Sequence, residues 1–185
     1  LVFFVLFTVM FLFALAESHF MQKTVNGQRF ENFTIIDSRF LPQVLSNYMR
    51  RNYVKYQYYK LPNYITDLFK YNKDFYPIYH SGLKHTVIVF TSVNDNFVLG
   101  TFFNKISEQI KNHPDKFNYI NHDSDKKVKY PHQAYNYAYK DLKDYCKQFC
   151  IIDPERNTLF TFSRITNSEI EALDIVFQEF GYIAK

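Results

Sequence analysis

Tryptophan is absent from this chain, glycine occurs only 4 times in 185 residues, and cysteine twice. No glycine-rich phosphate loop is present, so the backbone cradle that nucleotide phosphates need is missing. Two cysteines are too few for a disulfide-stapled secreted module. No Ser-His-Asp spacing and no zinc motif occurs either. A strong excess of one charge sign is also lacking. The formal net charge is +4, with Lys and Arg spread along the chain. Arg50-Arg51 and Lys126-Lys127 are short basic pairs that read as solvated faces. Basic and aromatic residues interleave in "MRRNYVKYQYYK", a pattern compatible with single-stranded nucleic acid. A tyrosine-rich strand beside a basic turn explains it as well, and no nucleic-acid partner is expected.

What is there is a globular composition. Hydrophobic residues make up 47% and charged residues 22%, which argues against disorder. Aromatics reach 20%, from 16 Tyr and 21 Phe. The length leaves room for one domain with a proper core and a short extra element. That element is Leu1–Ala16, "LVFFVLFTVMFLFALA", with Thr8 its only polar residue. As a helix it would span about 24 Å, somewhat short of the ~30 Å hydrocarbon core. The chain opens on Leu, so further upstream residues are expected to lengthen the run. One reading is a single membrane anchor in contact with lipid. The other is a secretory signal, because Ala14-Leu15-Ala16 before Glu17 fits a small-x-small cleavage site. The flanking charges are too mixed to orient an anchor. The Asn32-Phe33-Thr34 sequon matters only in a secretory lumen.

Residues 17–51 read as a connecting region, with a strand-like "FTIID" at Phe33–Asp37. Asn52–Lys60 alternates as a strand. "LPNYITDLFKYN" follows as a helix with Pro62 in its first turn. "HTVIVFT" is a near-continuous apolar run, the mark of a strand covered on both faces. After it, Leu99, Phe102, Phe103, Ile106 and Ile110 share one helical face. Asn94 or Asp95 is expected to cap that helix and Pro114 to stop it. "KFNYIN" reads as a short strand. His122, Asp123 and Asp125 beyond it have metal-ligand chemistry, though a turn at a strand end explains them better. Residues 134–148 form a helix, and "FCIIDPERNTLFTF" a hairpin turning at Asp153–Asn157. The last helix has capping-box spacing at Thr166 and Glu169 and Gly181 at its end. The β-α-β crossovers predict an α/β protein with a parallel core and an antiparallel edge, helices on both faces.

That order resembles the thioredoxin fold over roughly residues 52–181. "FCIIDPERNTLFTF" is similar to the hairpin of the Sco, TlpA and peroxiredoxin-like branches, and "TNSEIEALDIVFQEF" to their final helix. "VIVFTS" stands where those proteins have the strand leading to the reactive turn. The fold class implied is α/β: a thioredoxin-like central mixed sheet flanked by helices, behind an N-terminal hydrophobic, transmembrane helix. The domains are then 1–16 anchor or signal segment, 17–51 connecting region and 52–185 thioredoxin-like domain. An anchor followed by such a domain most resembles Sco proteins, copper and thiol proteins of the mitochondrial inner membrane that serve cytochrome c oxidase.

The departures from the family decide the expected function. The family's cysteine pair lies in the turn that is here Ser92-Val93-Asn94-Asp95-Asn96, with neither thiolate nucleophile nor soft metal ligand. The family's cis-proline is missing where Lys147 and Gln148 stand. Cys146 and Cys150 have the right spacing in the wrong place, with no helix N-terminus behind them to activate a thiol. They read as packing residues and as weak candidates for a copper or redox pair. The leading expectation is a redox-inactive, non-enzymatic, membrane-anchored accessory subunit, with no cofactor and with other subunits of a membrane complex as partners. By the Sco resemblance that complex is a mitochondrial respiratory assembly. The alternatives are a binding module of the secretory lumen, like the non-catalytic domains of disulfide isomerases and cleaved after Ala16, and a copper or thiol protein using Cys146 and Cys150.

Overall fold

The computed structural model describes residues 30–36, 38, 40–71, 85–91, 96–122 and 133–185. Leu1–Ala16, Ser92–Asp95, Asp123, Asp125 and Lys126-Lys127 lie outside them. The described residues form six strands and five helices. In chain order these are β1 (Phe30–Ile36), α1 (Leu41–Arg51), β2 (Gln57–Lys60), α2 (Asn63–Tyr71), β3 (His85–Phe90), α3 (Phe97–Asn112), β4 (Phe117–His122), α4 (Gln133–Tyr145), β5 (Phe149–Asp153), β6 (Thr158–Thr161) and α5 (Asn167–Glu179).

The strands make one sheet in the order β2-β6-β5-β3-β1-β4. Every ladder in it is antiparallel, which corrects the expectation of a parallel core in a mixed sheet. The physical reason is β1. It pairs with β3 on one side (Phe33 opposite Ile88) and with β4 on the other (Phe33 opposite Tyr119). The two strands joined through α3 therefore run in the same direction, as a crossover demands, yet they do not touch. The antiparallel β1 fills the space between them.

The segment expected as a connection, 17–51, thus supplies an interior strand and a core helix. Leu41, Leu45 and Met49 recur at i, i+4 and i+8 on α1 and are all buried in the main core. Pro42 sits in the first turn of α1, where its missing N–H costs nothing. Arg50 and Arg51 occupy the last turn, where cations complement the helix dipole. They donate to Asn47 Oδ1 at 3.4 Å and to Asn47 O at 3.3 Å respectively, so this basic pair folds back onto its own helix. The strand expected from Asn52 begins only at Gln57, because α1 runs into Arg51 and Tyr53 turns the chain at φ 56.

Both sheet faces are covered, as the apolar runs of β3 and β5 require. Alternation sorts the side chains. Ile88, Phe90, Phe149, Ile151 and Phe160 point to one side, under α1, α3 and α5. Val87, Val89, Cys150, Ile152 and Leu159 point to the other, under α2 and α4. The first core is largely phenylalanine. The Phe102 ring meets Phe177 at 5.2 Å and Phe149 at 5.8 Å, and Phe90 meets Phe103 at 5.1 Å, mostly edge to face.

The elements with strong local signals stand where expected. Asp153 accepts from the backbone of Glu155 (3.1 Å) and Arg156 (3.3 Å) and from the Arg156 guanidinium (2.9 Å), which folds the β5–β6 turn. Asn157 takes the left-handed position at φ 55. The helix α5 begins on the Thr166/Glu169 capping box. It ends with Gly181 at φ 75, where the N–H of Tyr182 reaches Phe177 O at 2.7 Å and that of Gly181 reaches Gln178 O at 3.1 Å.

Candidate functional site

The candidate site is the junction at the end of β3, where α3 starts and the segment between α4 and β5 passes. Of the turn Ser92–Asn96, Asn96 is the residue that the structure describes, and it decides the cap. Asn96 Oδ1 accepts from the N–H of Val98 at 3.1 Å and of Leu99 at 3.2 Å, with extended backbone at φ −139. This corrects the expectation of a cap at Asn94 or Asp95. The signal was present: the apolar stripe opens at Leu99, and a capping side chain bonds the N–H three residues after it. The amide of Asn96 also donates to Ile165 O at 3.0 Å, tying the start of α3 to the approach to α5.

Thr91 anchors the other side of the turn. Its N–H donates to Gln148 O at 2.9 Å and its hydroxyl to Lys147 O at 2.6 Å. The Lys147 and Gln148 carbonyls thus hold the residue that follows β3, and no cis peptide bond occurs among the described residues. Phe97, the first helical residue after the cap, is 89% exposed.

Cys146 and Cys150 are free thiols, both buried in the apolar cluster under α2 and α4. Cys146 Sγ lies 3.9 Å from Val89 O. Burial pushes the Cys150 thiol well above its ordinary range, and a hydrogen bond with Cys146 raises it further. The shift disfavours the thiolate, the opposite of what a nucleophile or soft-metal ligand needs. Two other groups are displaced. Tyr64 is raised, chiefly by its hydrogen bond to Asp141 Oδ2 at 2.5 Å, on an exposed helix surface. At Glu169, burial pushes the carboxyl up, but hydrogen bonds from Thr166, Ser168 and the backbone outweigh it and the net shift is downward. None of these three shifts poises a group for catalysis near neutral pH.

The remaining candidates do not assemble. His122 closes β4, and no metal-ligating group of three or more His, Cys, Asp or Glu side chains occurs among the described residues. Asn32 is paired within β1 between Val89 and Ile120, and Thr34 is fully buried. The sequon thus lies in the sheet rather than on a surface loop. No helix among the described residues is long and apolar enough to cross a membrane. Comparison with known proteins finds no matching family model, no matching curated protein and no matching solved structure.

Proposed function

We propose that the protein is a non-catalytic, thioredoxin-like accessory subunit that docks onto a membrane complex through the surface at the start of α3. The observation that carries the reading is the pairing of Asn96 with Phe97. The α3 N-terminus, where a catalytic relative would hold a reactive group, is occupied by the protein's own amide side chain. Beside it a large aromatic ring stands almost wholly in solvent. Aromatic side chains are enriched at the cores of protein interfaces.

The arrangement from β3 onward supports the fold assignment. Two strands of one direction are joined through α3. An antiparallel β5–β6 hairpin follows, with α3 and α5 over one face and α4 over the other. That is the layering the thioredoxin resemblance implies, with β1 as an added strand inside the sheet. The hydrophobic run Leu1–Ala16 supports a tether to a membrane, and by the Sco resemblance the mitochondrial inner membrane.

Extraction of the full chain from native membranes in mild detergent, followed by native electrophoresis, tests the reading. The expected result is migration in a large assembly. A species migrating alone near 22.3 kDa overturns it. N-terminal sequencing of the same material distinguishes a retained anchor from a mature terminus at Glu17, which would favour the secretory-lumen alternative.

A further inference from the structure

The two buried thiols have no role in the function proposed above, yet three observations bring them together. Cys146 and Cys150 belong to one apolar cluster. Cys146 Sγ points at Val89 O, at 3.9 Å. Val89 is the residue directly opposite Cys150 in the β3–β5 ladder, and opposite residues share a sheet face. Cys146 Sγ and residue Cys150 therefore both meet Val89, from positions only four residues apart.

The backbone between them carries a second function. The carbonyls of Lys147 and Gln148 are the acceptors that hold Thr91, the last described residue before the candidate turn. We propose that Cys146 and Cys150 form a reversible internal disulfide by exchange with a small-molecule disulfide, closing the 146–150 loop and fixing the carbonyls that anchor Thr91.

The order of events follows from the fold. Cys146 lies between α4 and β5, outside regular structure, with its N–H on Leu142 O at 2.8 Å as the final link of α4. Cys150 sits in β5, laddered on one side to β3 and on the other to β6. Local opening thus exposes Cys146 first. Its thiol gives its proton to water and the thiolate attacks one sulfur of the small disulfide. The S–S bond of the reagent breaks, one small thiolate leaves and takes up a proton, and a mixed disulfide remains on Cys146. Cys150 then loses its proton and attacks the Cys146 sulfur, expelling the second small thiol. Two protein S–H bonds and one small S–S bond become one protein S–S bond and two small thiols. Two electrons pass from the protein to the reagent.

The inference is independent of whether the turn docks a partner. The test uses the full chain, reduced, freed of reductant and incubated with oxidised glutathione. Samples are acid-quenched, denatured and labelled with a maleimide. Wild type should pass from two labels to none and finish without a retained glutathione. Cys150→Ala should accumulate glutathione on Cys146, whereas Cys146→Ala should keep Cys150 reduced. A wild-type chain that keeps both labels, at oxidant levels that oxidise the urea-unfolded chain, overturns the proposal.

Coupling to the turn is read separately on wild type, so it survives failure of either variant to fold. Closing a five-residue loop restricts opening enough to slow exchange of the Thr91 amide by up to about thirtyfold. Equal exchange in reduced and oxidised protein removes the coupling.

Discussion

Replacing Asn96 with alanine strips three hydrogen bonds from one side chain. Its Oδ1 serves two donors of the α3 N-terminus, and its Nδ2 holds Ile165 O at 3.0 Å. Loss of an asparagine cap costs about 1 kcal/mol. The Ile165 bond adds ~1 kcal/mol net, and somewhat more if the carbonyl is left without a donor. The expected destabilisation of Asn96→Ala is therefore roughly 2–3 kcal/mol. Urea unfolding should report it as a lower midpoint at unchanged slope, because the extent of surface exposed on unfolding stays the same. The accompanying fall in Tm is about 2–4 °C per kcal/mol for a chain of this size. Asn96→Asp separates the two contributions. It keeps the accepting oxygen and places a negative charge at a helix N-terminus, but it cannot donate to Ile165 O. It should recover about half of the loss. An alanine variant within about 0.5 kcal/mol of wild type, alongside a clear loss for Asn94→Ala or Asp95→Ala, would show that the cap is misassigned.

Four further outcomes follow from the same structure. Glu169 is held below the ordinary glutamate range, so the unfolded chain takes up this proton more readily than the folded one. Its contribution is complete above about pH 4.3 and is lost as pH falls through the lower folded value. The stability difference between wild type and Glu169→Gln should therefore shrink below that pH, and a constant difference from pH 7 to pH 3 would refute the assignment. Phe97→Ala should leave stability within ~0.5 kcal/mol while weakening the native assembly. By contrast Phe102→Ala, which removes a ring packed against Phe90, Phe149 and Phe177, should cost about 3–5 kcal/mol by chemical denaturation. Gly181→Ala should lose roughly 1–2 kcal/mol from the left-handed conformation at φ 75. Its new Cβ meets only the mobile Lys116 Nζ at 3.3 Å, so calorimetry showing a much larger loss would point to a backbone clash instead.

The sequence alone determined the elements whose causes lie within a few residues. The α3 stripe from Leu99 to Ile106 is one helical face, and those residues are buried. Thr166 and Glu169 state the start of α5, Gly181 its end, and Asp153 through Asn157 the hairpin turn, because each is a contact between chain neighbours. The missing thiols of the turn at 92–96 were equally plain, since chemistry that needs sulfur cannot be supplied by Ser, Val, Asn and Asp. Only the tertiary structure decided what those elements meet. The apolar run of β3 says that both faces are covered, but it carries no information on which strand lies at either edge. That choice placed β1 antiparallel between β3 and β4, through pairs 49 to 92 residues apart. It also turned Phe30–Ile36 and Leu41–Arg51, expected as part of a connection, into an interior strand and a core helix. Cys146 and Cys150 followed the same rule. Their spacing was visible from the start, but burial in one cluster with Val89 arises only when α4 packs on the sheet, and burial is what holds Cys150 as a thiol.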